Sequence, residues 1–160
     1  PMSILTRFIE AAKRRSLAVV LPEGKDDRVL AAARRMKDEG IANPILLGDA
    51  AEIERRAAAS GFGIDGIRII DPGKSEKLGE YTEAYVKGRD LNPRVASRMV
   101  RRPLYFAGMM VARGDADTMV AGVDTPTALV IQAGVLTVGL AKGLATPSSF
   151  FLMIIPDFQG

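Results

Sequence analysis

The stretch Leu17-Ala-Val-Val-Leu21-Pro22-Glu-Gly-Lys-Asp-Asp27-Arg-Val-Leu30 decides the fold. Its first five residues form an unbroken apolar run, halted by Pro22, which has no N–H to extend a ladder. A run without polar alternation reads as a strand buried on both faces. Asp26 and Asp27 then offer acceptors to the free N–H groups of a first helical turn. Val29, Leu30, Ala33 and Met36 recur at helical spacing until Gly40 stops the helix. Strand, loop and helix in this order are the unit of a parallel sheet covered by helices.

A helix precedes that stretch, and the same unit recurs after it. Before it, Ile4, Leu5, Phe8, Ile9 and Ala12 share one face of a helix, with Lys13, Arg14 and Arg15 near its C-terminal end. After it, Pro44–Leu47 is a strand, and Asp49 with Glu52 has capping-box spacing ahead of a helix that precedes Gly61. Residues 67–70 make a third strand, closed by the turn signal Asp71-Pro72-Gly73. A helix follows over Ser75–Val86. Asn92-Pro93 reads as an N-cap with proline at the first helical position. Pro103 opens a helix over Leu104–Ala112 that is apolar nearly all round, hence buried, and Gly114 ends it. Residues 118–121 and 149–155 complete five expected strands, the last being the most apolar. A strand of that kind is ordinarily central, so its closeness to Gly160 predicts a truncated chain. The expected architecture is a three-layer α/β domain with a mostly parallel sheet.

Composition narrows the chemistry. Of 160 residues, 48% are hydrophobic and 26% charged, as in ordinary soluble proteins. No apolar run is long enough for a transmembrane helix, and the first fifteen residues lack the apolar core of a secretory signal, so the expected compartment is the cytoplasm. With no cysteine and no histidine, the chain has neither a thiolate nucleophile nor an imidazole base or metal ligand, and no metal is expected. The basic clusters Lys13-Arg14-Arg15, Arg34-Arg35, Arg55-Arg56 and Arg101-Arg102 are scattered and read as solvated helix faces, so nucleic acid is not an expected partner.

In open parallel sheets, ligands sit outside the carboxyl ends of the strands, where helix N-termini favour anions. Three loops qualify. The first, Pro22–Arg28, offers Lys25 or Arg28 to an anion, but a capped strand-to-helix turn accounts for it better. The second is Gly122-Val-Asp-Thr-Pro-Thr-Ala128. Thr125 and Thr127 can donate hydroxyls beside free backbone N–H groups, and Asp124 can cap the helix or act as a base. Capping alone explains it equally well. In the third, Gly143–Ser149, a turn is the better account. Nucleotide-binding glycine loops and the nucleophile elbow are absent from the sequence.

Several of these segments carry a resemblance. Leu21-Pro-Glu-Gly24 with Asp27-Arg28-Val29-Leu30 and Ala32-Ala33 resembles the opening of the phosphate acetyl/butyryl transferases, the phosphotransacetylase family. So do Pro103-Leu-Tyr-Phe with Met109-Met-Val, Gly114-Asp-Ala-Asp117 with Met119-Val-Ala-Gly122, and Ser148-Ser-Phe-Phe-Leu-Met153 with Pro156-Asp157. The matches run in order over nearly the whole chain. The resemblance implies a two-domain fold like that of isocitrate and isopropylmalate dehydrogenases, with residues 1–150 as the first domain and 151–160 starting the second. It implies acyl transfer between coenzyme A and phosphate, with coenzyme A as substrate, no covalently bound cofactor, and a homodimer. It also implies that the family's serine–arginine pair and later aspartate lie beyond Gly160.

The departures fall in the second loop. Laid without a gap, the chain has Thr125 at a family histidine, keeps Thr127, and has Leu129 and Val130 for an aspartate and a threonine. Gln132-Ala133 stands for an arginine–proline pair, and a neutral amide cannot give the bidentate phosphate contact of a guanidinium. Lys87 or Arg89 would have to supply that charge. The expected substrate-binding set is therefore Gly122, Asp124, Thr125, Thr127, Lys87 and Arg89, with no catalytic residue assigned. Three functional readings follow: an acyltransferase whose isolated chain is incomplete, a non-catalytic module like the phosphotransacetylase-like domains of some malic enzymes, and a plain nucleotide-binding or scaffold domain.

Overall fold

A computed structural model of the chain describes residues 3–155. Four strands, β1 (Ala18–Leu21), β2 (Asn43–Leu47), β3 (Arg68–Ile70) and β4 (Thr118–Met119), form one parallel sheet in the order β3-β2-β1-β4. Val20 is level with Ile45 on one side and Met119 on the other, which puts β1 at the centre. Asp117 fixes the start of that pairing: its carboxylate accepts from the Ala18 N–H at 2.7 Å, and its own N–H donates to the Ala18 carbonyl at 2.9 Å.

Strand side chains alternate between faces, and each face has its own core. Val19, Leu21 and Leu46 pack with Val29, Leu30 and Ala33 of α2 (Asp27–Asp38) and with Ile53 and Ala57 of α3 (Ala50–Ala59). Val20, Ile45 and Leu47 face the other way. There they meet α4 (Leu78–Val86), α5 (Pro93–Val100) and α6 (Pro103–Arg113), whose Tyr81, Tyr85, Val100, Phe106 and Met110 are all buried. The layers are therefore helix, sheet, helix, as the apolar strands predict. Helix α6 is buried continuously from Tyr105 to Met110 and packs against α7 (Thr127–Thr137).

One expectation does not hold. Residues 149–155 form no strand and lie exposed, because no neighbouring strand pairs with them among the described residues. Residues 156–160, with the Pro156-Asp157 match, lie outside the described residues. The first helix, α1 (Ile4–Arg15), does form, with Ser3 accepting from the Thr6 N–H and three basic residues in its last turn. Its apolar face stays largely open: Ile4, Leu5 and Phe8 are exposed, Ile9 and Ala12 are half-buried, and no residue of α1 is buried.

Candidate functional site

The chain lays down β1, β2 and β3 outward in one direction, then crosses back to place β4 on the other side of β1. The crevice beyond the carboxyl ends of β1 and β4 is thus a topological switch point, where an open parallel sheet leaves room for a ligand. Pro22 and Glu23 enter it from β1, and the loop after β4 faces them.

Glu23 closes this meeting. Its carboxylate accepts from the backbone N–H groups of Gly122 at 2.9 Å, Val123 at 3.0 Å and Asp124 at 2.8 Å. Gly122 sits at φ +108°, a conformation open to glycine, and this lets three successive N–H groups converge. Burial by itself raises the Glu23 pKa, but these donors and the Thr125 side chain outweigh it and leave the carboxyl below its ordinary value. Gly24 is fixed by space instead, since a Cβ there would stand 2.6 Å from the Leu47 carbonyl oxygen. Three of the loop's backbone donors are therefore filled by a carboxylate of the chain itself.

The cations of the first loop are also engaged. Arg28 forks onto Asp26 at 2.9 and 2.7 Å and reaches the Val123 carbonyl at 3.1 Å, tying the two loops together. The guanidinium pulls the Asp26 carboxyl down to about 2. Lys25 pairs with Glu52.

Two adjoining hollows share Pro22, Glu23 and Pro103. One, of about 240 Å³, is completed by Arg102, Leu104 and Tyr105 of α6 and by Thr125, Leu129 and Gln132. The other, of about 400 Å³, runs toward Gly24, Lys25, Gly48, Arg56 and Asp124. Helices α6 and α7 both begin without a side-chain cap, with Arg102 and Pro126 at their N-cap positions. Their first-turn N–H groups thus lack a side-chain acceptor.

The expected binding residues divide between the crevice and its surroundings. Thr125 lines the smaller hollow and Asp124 the larger. Asp124 does not cap α7, whose N-cap is Pro126, so the capping role expected of it fails. Thr127 is exposed in the first turn of α7. Gly122 shapes the loop but gives its N–H to Glu23. Arg89 does not reach the loop. It donates to the carbonyls of Tyr85 and of Leu136, the latter at 2.7 Å, and its guanidinium lies 4.5 Å from the Tyr85 ring centre. Leu136 is about 13 Å further along α7 than Thr127, so Arg89 clamps the opposite end of that helix. Lys87 caps α4 on the same connection and is exposed. Glu23 and Arg102 line the smaller hollow and were not among the expected residues. A proline directly after Arg102 was the available signal that this arginine stands at a helix start and not on a solvated face.

Fold and crevice together define an open parallel α/β protein with a crevice at its switch point. Comparison with known proteins then gives the family: a model of the phosphate acetyl/butaryl transferases matches residues 3–159, and the chain belongs to this family. A phosphate acetyltransferase of Thermoanaerobacterium thermosaccharolyticum is 41% identical, over 99% of this chain and 48% of its own length. One from Nitratidesulfovibrio vulgaris is 39% identical, over 94% of this chain and 22% of its own length. A phosphotransacetylase structure from Streptococcus pyogenes superposes with a TM-score of 0.85 at 31% identity, covering 91% of this chain and 46% of that one. The chain thus spans less than half the length of these relatives. Among the described residues there is no cluster of acidic side chains fit to hold a metal, and no helix is long and apolar enough to cross a membrane.

Proposed function

We infer that the chain forms one wall of a phosphate acyltransferase site, in which an acyl group passes between coenzyme A and phosphate. The observation that carries this is the open crevice between β1 and β4 in a chain of this family. In the direction of thioester synthesis, the coenzyme A sulfur attacks the acyl carbonyl carbon, a C–S bond forms, the C–O bond to phosphate breaks, and phosphate leaves with the proton that the thiol gives up. With no histidine or cysteine, this wall contributes by positioning the acyl phosphate and neutralising its charge. Thr125 and Thr127 are its hydroxyl donors, and Asp124 is a carboxylate left without a capping role. The whole protein in this reading is a cytoplasmic homodimer of two α/β domains like the isocitrate and isopropylmalate dehydrogenases, with residues 1–150 in the first domain and 151–160 opening the second. It uses coenzyme A as substrate and holds no covalent cofactor.

The test is formation of acetyl-coenzyme A from acetyl phosphate and coenzyme A by the full-length protein. Turnover is expected there, and none from the 160-residue chain alone. In the full-length protein Thr127→Val should weaken phosphate or coenzyme A binding by about 0.5–1.5 kcal/mol, the net worth of one hydrogen bond. A full-length protein that binds these ligands without turnover would instead favour a non-catalytic binding module, the reading that the Glu23-filled loop supports.

A further inference from the structure

Resting on the acyl-phosphate reading above, we propose that Arg102, at the start of α6, anchors the phosphoryl group, in place of the N–H groups of the loop after β4. Those N–H groups are already taken by the Glu23 carboxylate, each at 2.8–3.0 Å. A phosphate could reach them only by evicting that carboxylate or by stacking a second anion on it, and both are costly.

The neighbouring cations narrow the choice. Arg28 is forked onto Asp26, Lys25 is paired with Glu52, and Arg56 stands 3.7 Å from the same Glu52. Arg89 holds the far end of α7. Arg102 lines the smaller hollow and, among the described residues, has no carboxylate within ion-pair distance. Its guanidinium carbon lies 5.8 Å from the Tyr105 ring centre. An aromatic face steadies the charge while leaving the N–H edges free for an oxyanion.

The opposite wall of the hollow completes the site with the Gln132 amide and the uncapped start of α7. A tetrahedral group with several acceptor oxygens can take donors from both walls at once. A guanidinium fork fixes its orientation as a single ammonium does not. Glu23 lies on the same hollow, with its charge held by the N–H groups of Gly122, Val123 and Asp124.

The test is calorimetric titration of the full-length protein with inorganic phosphate and with acetyl phosphate, beside thermal melts that report folding. Arg102→Ala should raise Kd for both ligands about tenfold or more, the loss expected for hydrogen bonds to a charged group. Arg102→Lys should recover part of this. Arg101→Ala, whose side chain packs beside Gly73, should bind as wild type. Adding Gln132→Arg to Arg102→Ala returns a guanidinium to the same hollow from the other wall, and affinity should rise again by several-fold. A folded Arg102→Ala protein with wild-type Kd overturns the assignment and leaves the acyltransferase reading standing. If wild type binds neither phosphate nor acetyl phosphate, both fall.

Discussion

Val19-Val20-Leu21 and Phe150-Phe151-Leu152 are similarly apolar on paper, yet they end in opposite states. Val20 is fully buried, with β2 and β4 as its ladder neighbours and a helical layer on either face. Phe151 is 96% exposed and belongs to no strand. An apolar run states a need for cover. It becomes a strand only where a neighbouring edge takes its N–H and C=O groups. The free edge of β4 does not serve residues 149–155 in this arrangement. Helices show the same contrast: α6 is buried from Tyr105 to Met110, whereas amphipathic α1 has no buried residue.

This contrast can be broken first at the covered end. Phe106→Ala should destabilise the fold by about 3–5 kcal/mol, measured by denaturant unfolding, because the side chain lies fully buried against Tyr81 with ring centres 5.0 Å apart. Next in size is Gly108→Ala. A Cβ there would stand 2.0 Å from the Thr137 hydroxyl oxygen, forcing α7 away from α6 at a cost of about 1–3 kcal/mol. Adding Thr137→Ala should restore part of that loss, and a double variant as unstable as the single one would refute the account.

Glu23→Gln sharpens the contrast at the crevice, where cover is polar. Losing the carboxylate charge that three N–H groups hold should cost about 1 kcal/mol and loosen the tie between the β1 and β4 loops. The folded-state pKa of Glu23 is depressed, so its contribution is present above the ordinary value of 4.5 and is lost as pH falls through the lower folded value. Wild type should therefore lose more stability than Glu23→Gln between neutral pH and the acid side of 4.5, and parallel profiles would remove Glu23 from this role. The smallest effect belongs at the uncovered end. Phe151→Ser should change the stability of the 160-residue chain by less than about 0.5 kcal/mol while raising its solubility, since it removes exposed apolar surface and no contact in the core.

What was legible in advance follows the range of each interaction. Asp26 accepts from the Arg28 N–H at 2.9 Å, Asp49 from that of Glu52 at 3.0 Å and Asn92 from that of Arg94 at 2.9 Å. All three helix starts lie within three residues of their caps, so spacing alone determined them. The strands of β1 to β3 and the buried α6 were equally determined, because their apolar runs admit few other uses. Tertiary structure decided the rest. The three N–H groups that Glu23 holds belong to residues 99 to 101 positions away, and Arg89 binds a carbonyl 47 positions away. Local chemistry limits neither choice, since a free carboxylate or guanidinium suits any donor or acceptor that packing brings near. The same holds for residues 149–155, whose composition favours a strand while only an adjacent edge can make one.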